Sequence, residues 1–218
     1  MNRKLVLSTA ILSLCCASDA FARGIDVDKI NGSIHIESDQ QAGDLSTVNG
    51  GIHVENGGSA EKVSTVNGSI DLGDHVTVAA IDTVNGGIEL GAGARVTGAV
   101  EAVNGGIRLG KGAEITGHAS NVNGRFTLDG AHIGGGIETV GGDMEIGADS
   151  RVEGGILVDR AHGWSFGKPR NPRIVIGPHA VITGTLEFRR EVDLFVSDSA
   201  TVGMITGATA KKFSGDQP

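Results

Sequence analysis

The chain has 218 residues and a formal net charge of −8, with 36 glycines, 4 prolines, 6 phenylalanines, 1 tryptophan and no tyrosine. So few large rings argue against a conventional globular core of this size. The acidic balance argues against nucleic acid as a partner, because binding it needs clustered Lys and Arg.

Residues 1–22 come first. Arg3 and Lys4 precede an apolar run from Leu5 to Leu14, and Ala20-Phe21-Ala22 supplies a small-x-small site. This order predicts a signal peptide cleaved after Ala22 and export to the periplasm or outer surface. The run is too short to span a bilayer and no later segment approaches the length, so no transmembrane segment is expected. Cys15 and Cys16 offer a rival lipoprotein reading, which Leu14 weakens by standing where a small residue belongs. Cleavage after Ala22 would remove both thiols and with them any disulfide or cysteine metal site.

Residues 23–210 read as one repeating domain. Val-Asn-Gly recurs every eighteen or nineteen residues at Asn49, Asn67, Asn85, Asn104 and Asn123, with Asn31 before them and Gly141 in the next slot. After each comes an apolar-x-apolar triplet: Ile34/Ile36, Ile52/Val54, Ile70/Leu72, Ile88/Leu90, Ile107/Leu109, Phe126/Leu128 and Met144/Ile146. A short fixed period marks a solenoid, whose units bury their apolar faces by stacking on one another. The prediction is an all-β, three-sided parallel β-solenoid with short strands and glycine turns. In the unit Gly87 to Gly105, Ile88 and Leu90 should point inward, as should Val96, Val100 and Val103, with the glycines between strands supplying positive φ. Ten coils would make a rod on the order of 45–50 Å long.

Two columns follow from the period. Asn31, Asn49, Asn67, Asn85, Asn104 and Asn123 should form a structural turn ladder, in which Asn-Gly tolerates a left-handed turn and stacked amides hydrogen-bond along the axis. The outward position of the first strand gives an exposed ladder of His35, His53, Asp71, Glu89, Arg108, Thr127 and Glu145. That ladder is either a solvated face or a binding strip, with His35 and His53 as its pH-sensitive end. Asp71 and Glu89 have the residue type of a glycosidase pair, but adjacent acids are expected in any acidic repeat. His75, His118, His132, His162 and His179 fall at scattered phases, with no Ser-His-Asp spacing or metal-binding pair. The Gly-Gly-x-Gly-x-Asp calcium pattern is absent. Neither a cofactor nor a metal is expected.

The period breaks at Asp159 to Arg173, which holds the only tryptophan and two of the four prolines. Proline and glycine exclude a regular coil, so a projecting loop is expected there. Arg160, Trp164, Phe166, Lys168, Arg170 and Arg173 make it the candidate contact site for a protein partner or an anionic envelope glycan. The alternative is a packed loop with Trp164 covering an apolar seam. Coils resume from Ile174, and residues 211–218 read as a disordered polar tail. With no helical cap at either end, exposed strand edges invite self-association.

The units Thr-Val-Asn-Gly-Gly-Ile and Thr-Val-Asn-Gly-Ser-Ile resemble a bacterial adhesin family of β-strand repeats. Ile174-Val-Ile-Gly-Pro-His-Ala-Val-Ile-Thr-Gly is similar to the coils of bactofilins, which are polymer-forming β-helices. The resemblance covers roughly residues 25–205 and implies a right-handed parallel β-helix, the usual crossover hand. Bactofilins typically lack a cleaved signal, which sets this chain apart from a cytoskeletal role. Hexapeptide acyltransferases share Ile-Gly-x-x-Ala-x-Ile units, but their acyl donors are cytoplasmic. The reading is a non-catalytic structural or adhesive rod of the cell envelope. The alternatives are a carbohydrate-active β-helix enzyme, or a periplasmic binding module that uses the Trp164 loop.

Overall fold

A computed structural model describes residues 24–160 and 170–218. Among these residues there is no helix, and every strand pairing is parallel. The apolar triplets form one face, a ten-stranded sheet running from Ile34–Ile36 through Ile52–Val54, Ile70–Leu72, Ile88–Leu90, Ile107–Leu109, Phe126–Leu128 and Met144–Ile146. Arg173–Ile176, Asp193–Ser197 and Lys211–Phe213 complete it. Ten strands, one per turn, make a solenoid of ten coils. In each triplet the outer two side chains are buried and the middle one faces out, as period-two alternation demands.

A sixteen-stranded sheet supplies the other faces. Early coils cross it in one long strand, as in Ser59–Asn67 and Thr77–Asn85. From Arg95 onward the same stretch splits in two, as Arg95–Val96 and Val100–Asn104. The split coincides with the first nineteen-residue step, from Asn85 to Asn104. The added residue falls in Thr97-Gly98-Ala99, where the ladder is interrupted and the chain turns a sharper corner. The Gly98 amide nonetheless donates to the Ala79 carbonyl of the unsplit coil below, at 2.7 Å.

The interior is a stack of aliphatic columns. Leu45, Val63, Ile81, Val100 and Ala119 form one, and Val78, Val96, Ile115, Ile133 and Val152 another, all essentially inaccessible to water. Val103 is not in the core as expected; it is 40% exposed, and Ala102 holds the inward position. Alternation explains the correction: with Val100 inside, Ala102 must be inside and Val103 outside. In the earlier coils the inward residue is the threonine of Thr-Val-Asn-Gly. The Thr47 and Thr65 hydroxyls donate to the Gly32 and Gly50 carbonyls at 3.1 and 2.9 Å, so these buried polar groups are satisfied.

Four of the glycines that follow an asparagine have a different reason from the expected one. Of Gly91, Gly93, Gly98 and Gly105, only Gly93 has positive φ. A Cβ at Gly50, Gly68, Gly86 or Gly105 would instead collide with the equivalent glycine carbonyl one coil below. Close backbone approach selects glycine at these four, Gly32 and Gly124 have positive φ at 105° and 148°, and the left-handed conformation recurs coil after coil at another corner. That corner is a column of its own, with Asp39, Gly57, His75, Gly93, Gly112, Gly130, Asp149 and His179 at φ between 54° and 73°.

The polar end of the chain is not wholly irregular. Lys211–Phe213 pairs with Asp193–Ser197, where a disordered tail was expected. Phe195 pairs with Lys211 in register, and the ammonium lies 5.2 Å from its ring, which gives the polar strand an apolar surface to cover.

Candidate functional site

The outward ladder of the ten-stranded sheet is in register throughout. His35 pairs with His53, His53 with Asp71, Asp71 with Glu89, Glu89 with Arg108, Arg108 with Thr127 and Thr127 with Glu145. The column continues through Val175 and Phe195. Most neighbours answer one another locally. Asp71 accepts from the Ser69 hydroxyl at 3.0 Å, and Arg108 Nε lies 3.6 Å from Glu89 Oε1.

The two histidines differ from the rest of the ladder. Their rings stack at 5.3 Å with an interplanar angle of 6°. Glu55 lies two residues beyond His53 on the same face, and its Oε1 is 3.2 Å from His53 Nε2 and 3.7 Å from His35 Nε2. The sequence shows no metal-spaced histidine pair because these two are eighteen residues apart; one coil of stacking makes them neighbours.

At the loop, the described flanks are held against the rod. Asp143 receives the Arg170 guanidinium at 2.9 Å and the Arg173 backbone N–H at 2.9 Å, with Arg125 at 3.5 Å. Partial burial pushes the Asp143 carboxyl upward, but the hydrogen bonds from Arg170 and Arg173 and the charges of Arg170 and Arg125 outweigh it. The net result is a carboxyl below its ordinary value of 3.8. Arg173 is the first residue of a strand rather than part of a projecting loop, and its guanidinium covers the Phe195 ring at 5.1 Å. Arg160 donates through Nε to the Arg189 carbonyl. Three candidate contact residues are therefore engaged at the loop's base, while Trp164, Phe166 and Lys168 lie outside the described residues.

The sixteen-stranded sheet carries a feature that the sequence reading missed. Val48, Val66, Val84, Val103 and Val122 stand outside, each 39–41% exposed, as an apolar stripe at coil spacing. Beside it runs the register column Ser46, Ser64, Asp82, Glu101, Ser120 and Glu138. Together they line a shallow groove of about 600 Å³. Lys62 bridges to Asp82 at 2.7 Å, and that hydrogen bond and charge raise its pKa. The missed signal was the alternation around the motif's threonine.

The asparagine side chains hydrogen-bond along the axis, and none of these asparagines has positive φ. Each Asn49, Asn67, Asn85, Asn104 and Asn123 amide donates to the asparagine one coil earlier, at 3.0–3.2 Å.

No family model matches the chain, and no curated protein and no solved structure matches it either.

Proposed function

We propose that the protein is an exported, non-catalytic rod of the bacterial cell envelope, structural or adhesive, that self-assembles through its ends. The leader-like residues 1–22 support export, and the adhesin-like and bactofilin-like units support the envelope role. One observation carries the assembly reading. Among the described residues, the outermost strands Ile25–Asn31 and Lys211–Phe213 each pair on one side only, and the most exposed large apolar side chains cluster in the terminal coils. These are Ile25 at 83%, Ile30 at 73% and Met204 at 71%. An unpaired strand edge beside apolar surface is a template for another chain.

The test is negative-stain electron microscopy with light scattering on the purified protein, compared with Ile25→Lys and Met204→Lys. Filaments or oligomers that shorten in either variant support the reading. Discrete monomeric rods at every concentration overturn assembly.

The binding-module alternative rests on the Asp143 network, which ties Arg170 and Arg173, the residues that follow the Trp164 segment, to the rod. Trp164→Ala with intact folding should then abolish glycan or protein binding, whereas an assembly scaffold would be indifferent to that change.

A further inference from the structure

We propose that His35, His53 and Glu55 form a binding site for a first-row transition metal ion such as Zn²⁺, and that the ion staples the first coil to the second. Their ligand atoms all lie within 4.8 Å of one another. Two donors around a tetrahedral zinc, each 2.0–2.1 Å from it, are about 3.3 Å apart. The present separations of 3.2 and 3.7 Å bracket that spacing, so adjustments of a few tenths of an ångström bring each histidine into range with the carboxylate.

The backbone does most of the positioning. His35 and His53 are direct partners in adjacent strands, and Glu55 follows His53 by two residues on the same face. Ligands on paired strands are held more accurately than ligands on loops. The rings do have to move, because parallel planes cannot both contain one ion along their nitrogen lone pairs. Rotation about the Cβ–Cγ bond tilts them together. That torsion is soft, and the side chains are 55% and 44% exposed, so the turn gives up the ring stacking and is made largely into solvent.

The donor chemistry narrows the ion. Two imidazoles with one carboxylate suit Zn²⁺, Cu²⁺ or Ni²⁺ and disfavour Ca²⁺ and Mg²⁺, which prefer all-oxygen shells. Three protein ligands leave a fourth position for water, the arrangement of an open rather than a closed site. Asp71, the next residue in the ladder, adds negative charge beside the site. His35 belongs to the first triplet, His53 to the second, and Glu55 follows the second by one residue, so the ion would bridge the first two coils of the ten-stranded sheet.

Isothermal titration of the purified protein with ZnCl₂ at neutral pH is the test, with hydrogen exchange measured on the same samples. The expected result is one saturable zinc per chain, with affinity reduced at least tenfold in both His35→Ala and His53→Ala and several-fold in Glu55→Gln. Zinc should also slow amide exchange in Ile34–Ile36 in the parent and not in the histidine variants. His118→Ala, whose imidazole lies 3.3 Å from Glu101 elsewhere on the rod, should bind like the parent. All three ligands are at least 40% exposed, so their replacement leaves the core intact. Zinc affinity unchanged in a His35→Ala/His53→Ala double variant, or no saturable binding below millimolar zinc, would overturn the proposal.

Discussion

The four residues of Thr-Val-Asn-Gly answer four separate physical demands. Threonine lies inside and donates to a glycine carbonyl one coil away, valine faces water, asparagine joins the amide column, and glycine admits the backbone of the coil below. Their tolerances should differ accordingly. Asn85→Ala removes two exposed amide hydrogen bonds, to Asn67 and from Asn104, and should cost roughly 1–2 kcal/mol in total. Gly86→Ala forces a methyl against the Gly68 carbonyl, with only backbone to yield, and should cost more, about 2–3 kcal/mol. Urea midpoints of the two variants check the order. The asparagine and glycine columns were visible in the sequence as repetition, but the cause of the glycine was not. A positive-φ glycine and a close-approach glycine look the same in one dimension. The inward turn of Ala102 rather than Val103 was hidden for a related reason: hydrophobicity alone cannot give the phase of a two-residue alternation.

At the level of strands, the change from eighteen- to nineteen-residue coils divides one long strand into two. Deleting Gly98 should fuse Arg95–Val96 and Val100–Asn104 and move the division one coil onward, at a cost within about 1 kcal/mol. Deleting Val96 instead places Thr97 in the buried slot opposite Val78 and should cost roughly 1–3 kcal/mol more. Circular dichroism during urea unfolding separates the two outcomes. The loop's anchor carries a pH signature. Because the folded Asp143 carboxyl is depressed, its stabilisation is fully present above the ordinary value of 3.8 and is lost as pH falls through the lower folded value. Asp143→Asn should therefore cost roughly 1–2 kcal/mol at pH 7 and much less near pH 2, read as a shrinking difference in thermal midpoint from the parent. The sequence marked the insertion by its broken period. It could not show that Asp143, sixteen residues before the insertion and apparently an ordinary repeat residue, would secure the returning chain.

For the whole molecule, stability should be close to a sum over coils and their interfaces, since coils touch chiefly their neighbours; the Arg190 guanidinium, which donates to the Val140 carbonyl two coils away at 3.0 Å, is an exception. Excising residues 68–85, one complete period, should leave a folded nine-coil rod shorter by about 4.8 Å, measurable by small-angle X-ray scattering. A collapsed or unfolded product would show that the coils are not interchangeable. The architecture was legible at this scale because the period recurs so often that a single-coil misreading changes little. The neighbouring of His35 and His53 also followed from the period, but Glu55 beside them and the valine groove did not, because each depends on which way a side chain faces rather than on its spacing.

The asparagine column also has a direction. All five amide bonds are donated the same way, from each coil to the one before it. Aligned dipoles of this kind add, so the column has a positive pole at Asn31 and a negative one at Asn123. Two copies meeting through their first coils would set like poles against each other. A carbonyl-rich or anionic surface would meet the opposite sign there, so the two ends of the column are electrically unlike.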